Sequence, residues 1–101
     1  MKSSLIIEFD VEEVCQLTGL ERAYLVEIVA HGIVEPRGER PENWRFDQQA
    51  LHLLRRAARL QRELALDWAG VAVALDLLGE VEQLRRENLR LRRLLERFEK
   101  D

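Results

Sequence analysis

Nucleophilic catalysis needs a hydroxyl or thiol activated by a neighbouring base, and in these 101 residues the hydroxyls are only Ser3, Ser4, Thr18 and Tyr24. Ser3 and Ser4 lie near a chain end. Cys15 has no adjacent cation, and its place on an apolar helical face reads as packing rather than reactivity. His31 and His52 share no metal-ligand spacing with each other or with Cys15, so no metal is expected. The five glycines form neither a phosphate-cradling loop nor a dinucleotide fingerprint, which leaves no cofactor to expect. Carboxylate pairs such as Glu12 and Glu13 have no neighbour that would set their pKa values apart. The reading is a protein that is not an enzyme.

What remains is the chemistry of charge. The chain carries a net −3. Residues 1–46 hold nine acidic and five basic side chains, residues 47–101 ten and eleven, so the acid sits in the N-terminal half. Arg55, Arg59 and Arg62 share a helical face with Arg56 beside them. That face is either a patch for an acidic partner or a solvated stripe partly paired through Arg59 and Glu63 at i,i+4, and the second reading is preferred. Trp44 and Trp68 are read as core anchors, with an exposed Trp44 near the wing as the alternative.

Composition bounds the elements that carry these groups. With 47% hydrophobic and 35% charged residues the chain is a folded, helix-rich protein of one small domain plus an extended helix. No apolar run reaches the length of a membrane span, no signal-peptide core follows Met1, and one cysteine allows no internal disulfide, so a cytoplasmic protein is expected.

Residues 2–9 alternate Leu5, Ile7 and Phe9 on one side and predict a short edge strand. Asp10 and Glu13 have capping-box spacing at the start of a helix that turns Val11, Val14, Cys15 and Leu17 inward and stops at Thr18-Gly19. Leu20 and Leu25 are spaced as a hydrophobic staple around a second helix opening at Glu21, with Leu25, Ile28 and Val29 buried and Gly32 as its C′ residue. Ile33-Val34-Glu35 and Trp44-Arg45-Phe46 are expected to pair as strands across a 36–43 loop, the outline of a wing after a helix-turn-helix. Asp47 caps a third helix presenting Leu51, Leu54 and Ala58, with Leu53, Ala57, Leu60 and Leu64 on the adjoining side. Leu60, Leu64 and Ala65 close its apolar face. Asp67 caps a fourth helix whose Trp68, Val71, Ala72, Leu75 and Leu78 turn inward.

Beyond Gly79, the residues Val81, Leu84, Asn88, Leu91, Leu95 and Phe98 alternate by three and four, which defines the a and d positions of a coiled coil. Glu80 and Glu87 then fall at g and Arg85 and Arg92 at e, so parallel strands pair opposite charges and antiparallel strands pair like with like. Leu89 and Leu94 lie outside the seam, which keeps a helix folded back on its own domain as the alternative to a homodimer. Orientation stays open. The expected division is residues 1–66 for the winged helix-turn-helix and 67–101 for the dimerisation helix.

Duplex affinity comes chiefly from basic residues that neutralise phosphates. Residues 1–31 hold only Lys2 and Arg22 against six acidic residues, so direct nucleic-acid binding is not expected.

Thr18-Gly19, Glu27-Ile28-Val29 with Gly32, Val34-Glu35-Pro36-Arg37, Trp44 and Phe46-Asp47 carry a family likeness. It is strongest in Glu63-Leu64-Ala65-Leu66-Asp67-Trp68 with Gly70 and Ala72-Val73-Ala74-Leu75, and it continues through Leu84, Glu87 and Asn88. In these residues the chain resembles the CbpM family of chaperone modulators, with a helix-turn-helix of MerR type, over almost its whole length. The resemblance implies a mainly α, MerR-like winged helix-turn-helix with a small β wing and a long C-terminal dimerisation helix. It further implies a cytoplasmic protein that binds the J-domain of CbpA, a DnaJ-like co-chaperone, blocks its work on the DnaK ATPase and antagonises its binding to DNA. A MerR-like transcriptional regulator is the alternative. Against it, Tyr24-Leu25-Val26 stands where such regulators carry an Arg-Tyr-Tyr cluster, and an effector-binding segment is lacking. Because a J-domain engages DnaK through a basic helix, Asp10, Glu13, Glu21 and Glu27 are the expected contacts.

Overall fold

The computed structural model of the chain describes residues 7–99. In order it forms strand β1 (Glu8–Phe9), helices α1 (Val11–Thr18) and α2 (Arg22–Ala30), a 3-10 turn at Pro41–Asn43, strand β2 (Phe46–Asp47), and helices α3 (Gln48–Leu64) and α4 (Trp68–Glu99). It is mainly α with a small wing, as expected. Of the strand anticipated over residues 2–9 only Glu8–Phe9 is seen, and residues 2–6 lie outside the described residues.

Short-range chemistry sets the helix ends. Asp10 accepts the Glu13 amide at 2.9 Å and Glu13 Oε1 accepts the Asp10 amide at 3.0 Å, a complete capping box. Thr18 ties off α1: its hydroxyl donates to the Val14 carbonyl at 2.7 Å and accepts the Leu20 amide at 3.2 Å. Leu20 and Leu25, both buried, flank the entry to α2. That helix ends in a Schellman motif, with Gly32 donating to Val29 and Ile33 to Ile28 at 3.0 and 3.2 Å, and Gly32 at φ +73 supplies the left-handed residue it requires. Asp47 accepts the Ala50 amide at 2.8 Å and starts α3.

The wing departs from expectation. Ile33-Val34-Glu35 is not a strand: β2 pairs antiparallel with β1, Phe46 opposite Phe9 and Asp47 opposite Glu8. Only Arg37 bridges to Arg45, through amide-to-carbonyl bonds of 3.0 and 2.9 Å. In the register that the Arg37 to Arg45 bridge sets, Val34 and Ile33 fall opposite Gln48 and Gln49 of α3 rather than opposite residues 44–46, and Pro36 has no amide to extend the ladder. Gly38, at φ +102, lets the loop fold so close that a Cβ there would strike the Asn43 backbone. The Arg37 to Glu8 ion pair at 2.9 Å ties the wing to β1.

The core gathers Val14, Leu25, Ile28, Phe46, Leu54, Ala57 and Val71, each fully buried, around α3. Leu17 and Leu64, expected inside, are 46% and 57% exposed. Leu17 lies one turn beyond buried Val14 at the end of α1, beside the buried face and not on it, and Leu64 is the last residue of α3, where Ala65 turns the chain at φ 52. Both tryptophans are core anchors, each 7% exposed. Trp44 packs edge-on against Phe46 at 6.1 Å, so its exposed reading does not hold, and Trp68 packs against Tyr24 at 5.8 Å.

The α3 to α4 corner takes residues 65–67. Asp67 Oδ1 accepts the Gly70 amide at 2.8 Å, so α4 opens on its expected cap, and Trp68 and Val71 enter the core from its first turn. Residues 76–99 are all exposed, Leu78 included, so the fold-back alternative is not adopted. Asp67→Ala should cost about 1 kcal/mol through the lost cap. Trp68→Ala should cost about 3–5 kcal/mol through the cavity it leaves. Both are read from urea unfolding midpoints at unchanged slope.

Candidate functional site

Among the described residues, three concavities on the helix-turn-helix part each hold at least one carboxylate of residues 1–46. Asp10 and Glu12 line one with Glu42 of the 3-10 turn, but Arg22 and Arg45 line it too. Glu21 opens a second, at the α1 to α2 turn, beside Tyr24, Trp68 and Arg62. The third is a groove of about 430 Å³ between residues 33–35 and the start of α3, floored by Ile33, Val34, Ala50 and Leu53 and rimmed by Glu35, Asp47, Gln49 and His52.

The four carboxylates singled out from sequence therefore do not converge. Asp10 and Glu13 are occupied with each other's amides in the capping box. Glu21 is the N-cap residue of α2 but makes no side-chain cap bond, and it sits at the opposite end of α1 from Asp10. Glu27 stands exposed on α2, away from all three concavities. Sequence reasoning missed Glu35 and Asp47 as a pair, because Asp47 announces itself only as a cap and Glu35 only as a strand residue.

Ala23, Val26, Glu27 and Ala30 form the exposed face of α2, turned away from buried Leu25 and Ile28. A helix-turn-helix places this face in the major groove, where arginine, lysine, asparagine or glutamine reach base edges. None of those residues is among these four, and the one arginine of α2, Arg22, stands at the edge of the face in the first turn. Among the arginines of α3, the expected Arg59 to Glu63 pair is not formed among the described residues. Instead Arg56 reaches Glu82 of α4 at 3.2 Å.

Ten of the fifteen large hydrophobics exposed among the described residues lie on α4, so that helix is the main uncovered apolar surface. Val81, Leu84, Leu91, Leu95 and Phe98 are 40% to 77% exposed, with Asn88 among them. The stripe also reaches further back than the sequence pattern suggested. Leu77, 55% exposed, continues the d positions and Val73 flanks it, both on the side of α4 opposite Trp68, Val71 and Leu75. Counting one heptad back from Leu84 would have found Leu77. Helix α4 passes through Gly79 without a break.

Cys15 is half-buried, and burial pushes its thiol pKa up against the lowering pull of Arg22, with Glu12 adding to the rise, which disfavours the nucleophilic thiolate. Among the described residues no group of three or more side chains is placed to hold a metal. No described helix is long and apolar enough to cross a membrane.

Comparison with known proteins agrees with this architecture. The model of the family described as MerR HTH family regulatory protein matches residues 9–93, from β1 into the last third of α4. A chaperone modulatory protein CbpM of Pseudomonas putida (strain W619) is 55% identical over 98 residues, 97% of each chain. One from Pseudomonas entomophila (strain L48) is 50% identical over the same share of each chain. One from Escherichia coli O9:H4 (strain HS) is 44% identical over 96 residues, 95% of each. A helix-turn-helix whose second helix centres its outer face on Ala23, Val26, Glu27 and Ala30, a corner built on Trp68 and an exposed apolar stripe along α4 are thus the features of a chain that belongs to the CbpM chaperone modulators of the MerR helix-turn-helix family.

Proposed function

We propose that this chain is a cytoplasmic, homodimeric chaperone modulator that binds the J-domain of a CbpA-like or DnaJ-like co-chaperone. By covering the J-domain's DnaK-facing helix it inhibits the co-chaperone's stimulation of DnaK and its binding to DNA. The observation that carries this reading is the α2 face: a shape suited to a polyanion presents Ala23, Val26, Glu27 and Ala30 where basic groups belong. The charge distribution points the same way, because a net −4 over residues 1–46 attracts a cationic protein surface and repels a phosphate backbone. In this reading residues 1–66 bind the partner and residues 67–101 assemble the dimer. The name of the matching family, a regulatory one, favours a MerR-like transcription factor as the second reading. The acid on α1 and α2 argues against it.

Asp10, Glu13, Glu21 and Glu27 act through the field they create rather than through one shared contact, since they are spread over α1 and α2. Complementary charge of this kind raises the association rate more than it sets the affinity. In the dimer, Val81, Leu84, Asn88, Leu91, Leu95 and Phe98 face their counterparts. In the parallel arrangement, Glu80 and Glu87 of one helix meet Arg85 and Arg92 of the other.

A purified J-domain should bind at micromolar concentration or below, more weakly as salt rises. Glu21→Lys with Glu27→Lys should slow association by roughly three- to tenfold while leaving dissociation nearly unchanged. Indifference to J-domains together with tight, sequence-selective capture of duplex DNA would establish the transcription-factor reading instead. Leu84→Asp places a carboxylate in the seam and should give monomers in sedimentation velocity. A variant that remained dimeric at low micromolar concentration would move the dimer contact off this face.

A further inference from the structure

The three concavities on the helix-turn-helix part differ in whether an arginine lines them together with the carboxylates. The one holding Asp10, Glu12 and Glu42 also holds Arg22 and Arg45, and the one holding Glu21 also holds Arg62. The groove between residues 33–35 and α3 has Glu35 and Asp47 on its rim and no arginine or lysine among its lining residues. No carboxylate in any of the three takes part in an ion pair with a described residue, so the lining arginines are what sets the first two apart. Asp47 spends one oxygen, Oδ1, on the Ala50 amide.

The groove is also the largest of the three, at about 430 Å³ against about 270 and 190 Å³. Its floor is aliphatic: Ile33 and Leu53 are half-buried, and Val34 is 6% exposed. An apolar floor with carboxylates at the rim suits one kind of side chain. Lysine and arginine lay a run of methylene groups along apolar surface while the charged head reaches past it to an acceptor.

We propose that this groove anchors the cationic partner, receiving the stems of lysine or arginine side chains from a basic helix on Ile33 and Leu53 and their charged heads at Glu35 and Asp47. The inference rests on the J-domain reading above and assigns a seat to the partner, which the scattered carboxylates of α1 and α2 do not provide. It also divides the work. The acid of α1 and α2 steers the encounter from a distance, and the groove holds the complex once formed, so the two sets of residues govern different rate constants.

Surface-immobilised full-length protein and a purified J-domain separate these roles. Glu35 and Gln49 are exposed, so Glu35→Gln, Glu35→Lys and Gln49→Lys should unfold at the wild-type temperature. Each lysine variant should speed dissociation of the J-domain by roughly tenfold or more, and Glu35→Gln by less, with a smaller change in association than Glu21→Lys with Glu27→Lys produces. If the wild type binds the J-domain and the Glu35 and Gln49 variants dissociate at its rate, the groove is not the seat and the J-domain reading stands. If the wild type itself binds no J-domain, that reading falls and the groove assignment falls with it.

Discussion

Burial of the Trp68 indole decides how this molecule is laid out. A 32-residue helix that met the domain only through polar contacts would leave it in no fixed direction. Trp68 prevents this by entering the core in the first turn of α4, against Tyr24 of α2, with Val71 fully buried one turn later. The corner that makes this possible carries a cost. Ala65 sits at φ 52, the one non-glycine residue with positive φ among those described, a conformation worth about 1 kcal/mol or more against an L side chain. The Asp67 cap and the burial of Trp68 offset that strain. Arg56 and Glu82 add a later tie between α3 and α4.

Fixing the inner face of α4 also fixes its outer one. Because Trp68, Val71 and Leu75 turn inward, the helical repeat carries Val73, Leu77, Leu84, Leu91 and Leu95 to the opposite side. The helix has two apolar faces with different fates: a short one, satisfied within the chain, and a long one that no described residue covers. Such a stripe is costly to leave in water, which is the physical ground for placing a second helix on it.

The helix-turn-helix shape and its surface chemistry point to different ligands. The shape comes from helix caps, the turn through Thr18 and Gly19, and the buried set of Val14, Leu25, Ile28 and Leu54, and none of these specifies what the outer face of α2 carries. That face is free to vary, and here it bears small, apolar and acidic groups. Shape follows from the core and partner choice from the surface, so the family's architecture and a protein-directed function are compatible.

Much of this was legible in the residues themselves. The capping box of Asp10 and Glu13, the caps at Asp47 and Asp67, the Schellman glycine at position 32 and the two-faced periodicity of α4 depend on neighbours within about one helical turn, so their spacing in sequence carries their geometry. Tertiary structure decided whatever turns on distance between remote residues. It paired β2 with β1 instead of with residues 33–35, since in the register of the Arg37 to Arg45 bridge Val34 and Ile33 fall opposite Gln48 and Gln49, which are already helical. It sent Arg56 to Glu82, 26 positions away, rather than pairing Arg59 with Glu63. It also brought arginines into the concavities that hold Asp10 and Glu21 and none into the lining of the groove that holds Glu35 and Asp47, because which charges share a concavity depends on distances of a few ångströms that sequence order does not encode.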